Sequence, residues 1–368
     1  MLCGTPGMSP DASANDTRSQ RLDLTVDPAQ PSPRGRFDAV VIANDPLCRE
    51  HYQLRLRITG PGRFPATRPG QFVQLGCRPP EAILDDQPRL LGTAWDWADA
   101  APMPHPGQLE LAEHAPLLRR PFSIARRGDD ADGPWIDIIH RVIGPGTAWL
   151  GALRVGEAVD MIGPLGNSFA PPGDRSLALL VGGGVGLPPM FYLAEHLHEQ
   201  GWQAVALVGA TTRNLLAVTL DDAQPPNPEA LPTHCVDEFT RFAFPSVVTT
   251  DDGSVGLPGR ITDGLARVLE HLPPGQLRQC VVFTCGPEPM MRSAAELANR
   301  HDVPCQACLE QAMACGMGTC QSCVVRIEEH EHPHATTPPT AAHPGGRPWR
   351  YRLACTDGPV FDAASVVW

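Results

Sequence analysis

The amino-acid sequence predicts a multidomain chain that joins a β domain to an α/β domain: an antiparallel β-barrel, a domain built on a parallel sheet, and a C-terminal cysteine module. Three observations predict this class: short strand-like runs between Pro and Gly turns, then alternating strand and helix patterns, then a cluster of cysteines. The expected limits are a disordered tail over 1–34, the barrel over 35–173, the α/β domain over 174–300 and the module over 301–368.

Composition limits the classes of function. The chain has 368 residues and a formal net charge of −12, and no basic stripe offsets this charge, so we expect no nucleic-acid partner. All 29 basic residues are arginine, which excludes Schiff-base chemistry at a lysine. No apolar run reaches the roughly 18 residues of a membrane span, and no secretory signal opens the chain. We therefore expect a cytoplasmic protein that does not enter the membrane.

The first structured part has the pattern of a small barrel. Six strand-like runs are separated by Pro and Gly turns, and such close spacing is typical of an antiparallel β-barrel. These runs are Phe37–Ala43, Tyr52–Ile58, Gln71–Gly76, Phe122–Ala125, Trp135–Val142 and Ala158–Ile162. Residues 78–117 lack a clear periodicity, and we interpret them as a long surface insertion.

After residue 173, strands and helices alternate. Apolar strands at Leu177–Val181, Ala204–Val208 and Val281–Thr284 predict a parallel sheet that is buried on both faces. We expect a helix that ends near residue 200 after the first of these strands, and a second helix over Glu288–Arg300 after the last. This texture is typical of a nucleotide-binding α/β domain.

Two glycine turns follow strands of this sheet. Val181-Gly-Gly-Gly-Val-Gly-Leu-Pro-Pro-Met190 opens a helix whose free N–H groups favour a pyrophosphate, although Pro188 replaces the third Gly of the standard fingerprint. A purely structural Gly-rich turn is the alternative. The run Phe283-Thr-Cys-Gly-Pro287 ends a second strand at the ligand-binding edge, so the two turns should converge. The expected cofactor contacts here are Gly182, Gly183, Gly184, Gly186, Cys285, Gly286 and Pro287.

Strand ends in the barrel carry a second set of binding residues. Arg120 and Arg141 are suited to phosphate or flavin oxygen, Ser123 to a hydrogen bond near a flavin ring, and Gly146 with Thr147 to a pyrophosphate. Taken singly, each is also an ordinary strand-end or turn residue. The expected set is Arg120, Pro121, Phe122, Ser123, Ile139, His140, Arg141, Gly146 and Thr147.

The cysteine module contains Cys315-Gly-Met-Gly-Thr-Cys320-Gln-Ser-Cys323 and a fourth cysteine further on. This is the spacing of plant-type [2Fe–2S] clusters, and the two glycines suit the tight turn that three converging sulfurs need. A zinc site is the alternative, because Cys305-Gln-Ala-Cys308 forms a second C-x-x-C pair, but it leaves the first cysteine of the loop without a role. The expected metal ligands are Cys315, Cys320 and Cys323, with Cys355 as the candidate for the fourth. Residues 328–347 are interpreted as a surface insertion.

In combination, these motifs resemble the ferredoxin-reductase superfamily, whose members pair a flavin-binding barrel with a nicotinamide-binding α/β domain. Three further runs are similar to the family of electron transfer subunits of the NAD-dependent dihydroorotate dehydrogenase B. They are Gly163-Pro-Leu-Gly-Asn-Ser-Phe169, Thr250-Asp-Asp-Gly-Ser254 and the Asp-Gly-Pro-Val-Phe run that follows Cys355. The resemblance covers about residues 36–368, and it implies FAD, NAD(H) and a [2Fe–2S] cluster as cofactors.

The resemblance also implies a function and a partner. Electrons would pass between NAD(H), FAD and the cluster, to or from an FMN-containing catalytic subunit that converts dihydroorotate to orotate in pyrimidine biosynthesis, in a heterotetramer of two plus two. No side chain of this chain is expected to be catalytic, because the cofactors carry the electrons. Cys305 and Cys308 have no place in the family pattern and are expected to be buried or spare thiols, and Cys285 is expected beside the nicotinamide.

Several alternatives stay open at the level of sequence. A related NAD(P)H reductase subunit could serve another acceptor, such as a sulfide dehydrogenase, a ferredoxin:NADP oxidoreductase, a sulfite reductase or a hydrogenase. A redox-sensing binding module is a second alternative. Arg213 and the two threonines before it could hold the 2′-phosphate of NADP, or Arg213 could be a solvated loop residue. Asp251 and Asp252 are interpreted as turn-forming or pocket-lining residues.

Overall fold

The computed structural model describes residues 34–59, 64–77, 118–328, 341–342 and 348–368. The tail expected over 1–34 lies outside the described residues except for residue 34, and the insertion expected over 78–117 lies wholly outside them. Of the insertion expected over 328–347, only residue 328 and the backbone of 341–342 are described.

An antiparallel sheet of seven strands forms the first half of the described chain. Its strands are β1 (Gly35–Cys48), β2 (His51–Ile58), β3 (Phe72–Leu75), β4 (Arg120–Ser123), β5 (Arg126–Asp130), β6 (Gly133–Arg141) and β7 (Ala158–Leu165), and helix α1 (Pro145–Ala152) precedes the last of them. Their order across the sheet is β4, β3, β7, β1, β2, β6 and β5. All six predicted strands are present, β4 begins two residues before its predicted start, and β5 is a strand that the sequence pattern did not indicate.

A buried carboxylate joins two neighbouring strands of this sheet. The side chain of Asp137 in β6 is 2% exposed and accepts hydrogen bonds from Arg55 Nε at 2.6 Å and Arg55 Nη2 at 2.7 Å. Gln53 Nε2 donates a third bond at 3.0 Å. The guanidinium of Arg55 also lies 4.1 Å from the ring centroid of Trp135. Asp137 is therefore the shared acceptor of a polar network on the β2–β6 pair.

We expect Asp137→Asn to lower the free energy of unfolding by about 2 kcal/mol, because Arg55 would keep its charge after losing a bidentate partner. The value lies below that of a fully buried pair because the side chain of Arg55 is 33% exposed. Urea unfolding followed by circular dichroism measures the loss. Asp130→Asn is the matched control, since Asp130 pairs with Arg57 in the same sheet but is 45% exposed. Equal losses in the two variants would contradict the prediction.

A seven-stranded, mostly parallel sheet forms the second half. Its elements are β8 (Leu177–Gly183), α2 (Leu187–Glu199), β9 (Gln203–Ala210), α3 (Asp237–Thr240), β10 (Ser246–Thr250), β11 (Leu257–Pro258), α4 (Ile261–His271), α5 (Pro274–Leu277), β12 (Cys280–Cys285), α6 (Glu288–Arg300), β13 (Cys305–Cys308) and β17 (Val360–Asp362). The order is β11, β10, β9, β8, β12, β13 and β17, and only the last pair is antiparallel. The apolar runs form buried strands because helices cover both faces, as the sequence predicts.

The cysteine-rich end of the chain packs on the barrel sheet. Strands β14 (Val324–Glu328), β15 (Ala341–Ala342) and β16 (Pro348–Leu353) form a small antiparallel sheet in the order β14, β16, β15. Between this sheet and the barrel, one apolar cluster contains Phe72 and Leu165 together with Cys323, Ala354 and Cys355.

One barrel side chain fixes the segment that follows this sheet. Asn167 Nδ2 donates to the carbonyls of Asp357 at 3.1 Å and Val360 at 2.8 Å, and its Oδ1 accepts from the Val360 N–H at 2.9 Å. The end of the chain is therefore tied both to the barrel and, through β17, to the parallel sheet. None of the helices in the described part of the chain combines the length and the apolarity needed to cross a lipid bilayer.

Candidate cofactor and metal sites

A cavity of about 760 Å³ lies between the barrel sheet and the carboxyl edge of the parallel sheet, and we call it the first cavity. All nine barrel residues predicted from sequence line it. Cys285, at the end of β12, closes it from the other side. The fold therefore brings strand ends that are distant in sequence to one concave site, as ligand sites of this size require.

The start of α1 supplies a place for an anion at the rim of the first cavity. Pro145 occupies the first turn of α1, where a missing N–H has no cost, and the N–H groups of that turn have no intrahelical acceptor. Thr147 Oγ1 accepts from the N–H groups of Ile143 at 2.9 Å and Gly144 at 3.3 Å, which fixes the turn before the helix. The helix dipole favours negative charge at this end, so the turn fits a phosphate.

His140 has hydrogen-bonding capacity that the protein does not use. Its side chain is 2% exposed, it stacks on Tyr52 with ring centroids 5.8 Å apart, and neither buried ring nitrogen has a hydrogen bond of good geometry among the described residues, although the Thr147 backbone is close enough to act on the ring. Burial lowers the pKa of His140 to about 4, so the ring is neutral at physiological pH. A neutral imidazole in the wall of the first cavity can donate to, or accept from, a bound polar ring.

We expect His140 to make the fold sensitive to acid. The pKa is lower in the folded chain than the ordinary 6.5, so between about pH 6.5 and pH 4 only the unfolded chain binds the proton. This contribution is complete above pH 6.5 and falls by roughly 3 kcal/mol as the pH drops through that window. His140→Gln should flatten the pH profile of urea unfolding there, whereas a variant of the exposed His271 should not. A parallel pH profile for His140→Gln and the parent would exclude this role.

A second cavity, of about 470 Å³, adjoins the first and is lined by the two glycine turns. Gly183, Gly184 and Pro287 lie in its wall, and Arg141 borders both cavities. The sequence prediction that the two turns converge is confirmed.

The convergence depends on a direct backbone contact. A Cβ added to Gly186 would lie 2.1 Å from the carbonyl oxygen of Cys285, and a Cβ added to Gly286 would lie 3.0 Å from the carbonyl oxygen of Gly183. Side chains cannot be accommodated at these two positions without separating the turns. Gly182, Gly186 and Gly286 are not in the lining of either cavity: Gly186 and Gly286 serve the approach of the turns, and Gly182 leaves room for Leu187 and Met190 of α2.

Of the residues considered for binding the adenosine end of a dinucleotide, some line the second cavity and others do not. Thr211 and Asp251 line this cavity, in agreement with a pocket-lining interpretation of Asp251. Asp252 instead accepts bonds from Ser254, from the hydroxyl at 2.6 Å and the N–H at 3.0 Å, as a turn residue does. Arg213 lines a different cavity of about 540 Å³, together with Arg49.

Sequence reasoning missed Glu310, which borders both cavities. Its side chain is exposed at these cavities, yet the protein atoms around it partly desolvate the carboxyl and raise its pKa above the ordinary value. The available signal was its place two residues after β13, because that strand is parallel to β12 and ends at the same ligand-binding edge.

The four predicted metal ligands form two adjacent pairs. The Cys320 side chain lies near Cys315, and the Cys355 side chain lies near Cys323 in the same apolar cluster, close enough for each pair to perturb the pKa of one member. Sγ of Cys315 accepts from the N–H groups of Met317 and Cys320, both at 3.4 Å. Hydrogen bonds with Ser322, and to a smaller extent the neighbouring Cys315, lower the pKa of Cys320 to about 6, whereas burial raises the pKa of Cys355 to about 12.

The loop from Cys315 to Cys320 depends on its glycines. Gly316 has a φ of +69° and Gly318 a φ of +88°, the left-handed conformation expected for this turn. The described residues contain no set of three or more His, Cys, Asp or Glu side chains arranged for a single metal ion. A [2Fe–2S] cluster takes four thiolates, two on each of two irons, which is the number of cysteines in the predicted set.

Cys305 and Cys308 lie apart from this loop as residues of β13. They are 5% and 3% exposed, so the expectation of buried thiols is confirmed. Cys308 is the register partner of Cys285 on the neighbouring strand and also lines the first cavity. The second C-x-x-C pair is thus part of the parallel sheet.

An antiparallel barrel sheet beside a parallel sheet, with a cavity at their junction and a cysteine loop next to it, defines the ferredoxin-reductase fold class. Solved structures share this fold. A structure of an NADH-dependent reduced ferredoxin-NADP oxidoreductase superimposes with a TM-score of 0.60 at 23% identity over 90% of each chain. The ferredoxin reductase in carbazole 1,9a-dioxygenase gives a TM-score of 0.50 at 19% identity and covers 74% of this chain and 67% of that one.

Proteins with similar sequences define the family within this fold class. The chain is 38% identical over 275 residues to the dihydroorotate dehydrogenase B (NAD(+)) electron transfer subunit of Bacillus caldolyticus, and 39% identical over 274 residues to that of Geobacillus kaustophilus; each match covers 72% of this chain and 88% of the relative. The subunit of Shouchella clausii is 33% identical over 259 residues, which are 68% of this chain and 80% of the relative. The chain belongs to the family of dihydroorotate dehydrogenase B electron transfer subunits. No protein-family model matches it.

Proposed function

We propose that this chain carries electrons between NAD(H) and a separate catalytic subunit, by way of FAD and a [2Fe–2S] cluster. The observation that carries the proposal is the thin layer between the first cavity and the cysteine pairs. Phe72 and Met313 line the first cavity, and both also pack in the apolar cluster that contains Cys323 and Cys355. A flavin in the cavity would thus be separated from the cluster by single side chains.

The first cavity fits FAD. Ser123 and the unpartnered nitrogens of His140 would serve the polar edge of the ring system, and the turn at Gly146 and Thr147 would hold the pyrophosphate. Arg120 and Arg141 supply positive charge at the two sides of the same cavity. When bound, FAD supplies the exchange between electron pairs from NADH and single electrons for the cluster.

The second cavity fits NAD(H). Gly184 leaves the backbone open to phosphate oxygens, because a Cβ added there would meet nothing within 4 Å. Cys285 lines the first cavity and Pro287 the second, so the nicotinamide would meet the flavin near these two residues. The carboxylate of Asp251 on the rim would repel a 2′-phosphate, whereas Arg260 in the same lining would attract one, and Arg213 lines another cavity. The choice of NAD(H) in this proposal therefore rests on the NAD(+) in the relatives' names.

The cysteine pairs fit the two irons of a [2Fe–2S] cluster. Cys315 with Cys320 would hold one iron, and Cys323 with Cys355 the other. The backbone N–H groups of Met317 and Cys320 would remain as donors to the sulfur of Cys315. Met317 itself is 52% exposed, so the cluster loop reaches the surface, where a partner could receive the electrons.

The partner in this proposal is an FMN-containing dihydroorotate dehydrogenase subunit in the cytoplasm. The relatives are named as subunits of that enzyme, and we propose a heterotetramer of two plus two chains that acts in pyrimidine biosynthesis. The presence of two adjoining nucleotide-sized cavities favours a reductase over a redox-sensing module, because a sensor needs no complete path from NADH.

The test begins with the visible spectrum of the protein purified without oxygen. We expect flavin bands and a broad iron–sulfur band, both bleached by NADH. Adding the FMN-containing subunit from the same organism should then give NAD+ reduction that depends on dihydroorotate. A colourless, zinc-containing protein, or dihydroorotate oxidation by the isolated chain, would refute the proposal. Bleaching by NADH without activity in the mixture would redirect it to another acceptor.

A further inference from the structure

A buried amide in the barrel has a donor without an acceptor. Gln74 lies in β3 with 1% of its side chain exposed, and Nε2 is buried with no hydrogen-bond partner among the described residues. Leaving a buried donor unpaired costs about 1–3 kcal/mol, so such groups in folded proteins normally find a partner. The position of Gln74 indicates what that partner is.

The amide of Gln74 lies against the cysteine loop. A Cβ added to Gly316 would stand 2.8 Å from Cδ and 3.0 Å from Nε2 of Gln74. Gly316 directly follows Cys315, one of the four proposed ligands. With a φ of +69° it has a left-handed conformation, and its backbone lies against the side-chain amide of Gln74. The only side chain short enough for this contact is the hydrogen of glycine. The barrel thus places an N–H group without a partner beside Gly316, in the loop that would hold the cluster.

We propose that Gln74 Nε2 donates a hydrogen bond to a sulfur on the Cys315 side of the [2Fe–2S] cluster and thereby raises the reduction potential of the cluster. This inference rests on the proposed function. Reduction adds negative charge to the cluster sulfurs, so an N–H donor stabilises the reduced form more than the oxidised form. Gln74 is a tuning residue, because it acts on the potential and takes no part in the transfer itself.

The location of Gln74 links the potential to the flavin side of the molecule. Gln74 is the register partner of Pro121 in β4, the strand that contributes Arg120 and Ser123 to the first cavity. One strand pair therefore forms the wall of the proposed flavin site and also reaches the cluster loop. A donor on this pair favours arrival of the electron at the cluster from the flavin.

Gln74→Met tests the inference, because methionine keeps the length of the side chain and removes the donor. In a redox titration of the full chain followed by electron paramagnetic resonance, we expect the ratio of reduced to oxidised cluster at a fixed poise to fall about tenfold, a shift of 59 mV for a one-electron couple. Gln306→Met is the matched control. Gln306 is also 1% exposed, but Nε2 donates to the Ala170 carbonyl at 2.6 Å and Oε1 accepts from the Ala170 N–H at 3.0 Å, so only stability should fall.

A second measurement uses the unmodified side chain. Glutamine labelled with ¹⁵N at the side-chain amide should give a weak ¹⁵N coupling to the reduced cluster in pulsed resonance spectra, and the coupling should disappear in the isosteric Gln74→Glu. An intact cluster with an unchanged potential and no such coupling would overturn the role of Gln74 and leave the proposed function standing. A chain that assembles no iron–sulfur cluster under any condition would overturn both.

Discussion

Replacing Cys323 with serine should remove the iron–sulfur cluster and leave the flavin in place. Cys323 is 1% exposed and packs with Phe72, Leu165 and Cys355, so a hydroxyl there offers a poor iron ligand that no solvent ligand can readily replace. Iron and acid-labile sulfide should fall to background. NADH should still bleach the flavin, because the two nucleotide cavities do not include Cys323. Electron delivery to the catalytic subunit should fall to background.

Cys305→Ser is the matched control, because it removes a buried thiol of the other C-x-x-C pair. Cys305 is a residue of β13, and the variant should lose some stability but keep its iron, sulfide and electron delivery. The zinc alternative predicts metal loss in both variants and no sulfide in either. Loss of the cluster on Cys305→Ser with retention on Cys323→Ser would require a different ligand set.

Gly186→Ala should slow the reduction of the flavin by NADH by about 100-fold or more while FAD remains bound. The added methyl would stand 2.1 Å from the carbonyl oxygen of Cys285, so the two glycine turns must move apart. A displacement of about 1 Å at a site of hydride transfer is enough for a rate loss of this size. The φ of Gly186 is −80°, which alanine adopts freely, so the loss arises from the contact alone. Stopped-flow absorbance of the flavin band measures the rate.

Gly275→Ala provides the control for this substitution. Gly275 lies in α5, and a Cβ there would meet nothing within 4 Å, so the rate of flavin reduction should equal that of the parent. An unchanged rate in Gly186→Ala would show that the turns tolerate separation. It would then place the nicotinamide away from the junction of the two cavities.

The local sequence pattern was sufficient to predict most strands, because alternating apolar residues and continuous apolar runs can be recognised directly in the sequence. It failed for β5, whose sequence Arg-Arg-Gly-Asp-Asp is polar, because this edge strand is held by its hairpin with β6. It could not show that Cys305–Cys308 is a strand, since the same C-x-x-C spacing occurs in zinc knuckles and in strands. The segment is a strand because it pairs with β12.

The site residues divide in a similar way. Residues such as Gly183 and Cys320 could be predicted as site residues from the spacing of a local motif. The fold then places them next to the other residues of the site. Glu310 and Gln74 carry no local signal, because each gains its importance from an element distant in sequence. Glu310 depends on the strand next to its own, and Gln74 on a loop more than two hundred positions away in the chain.

The segment that contains all four predicted ligands begins after β13 and ends before β17. These two strands are hydrogen-bonded neighbours in the mostly parallel sheet. The segment that carries the cysteines therefore leaves one sheet and returns to it, so both of its ends are anchored in that sheet. Transfer inside such a protein needs no swing of a carrier domain. The internal electron-transfer rate should thus be independent of solvent viscosity, and added glycerol should slow only the encounter with the partner subunit.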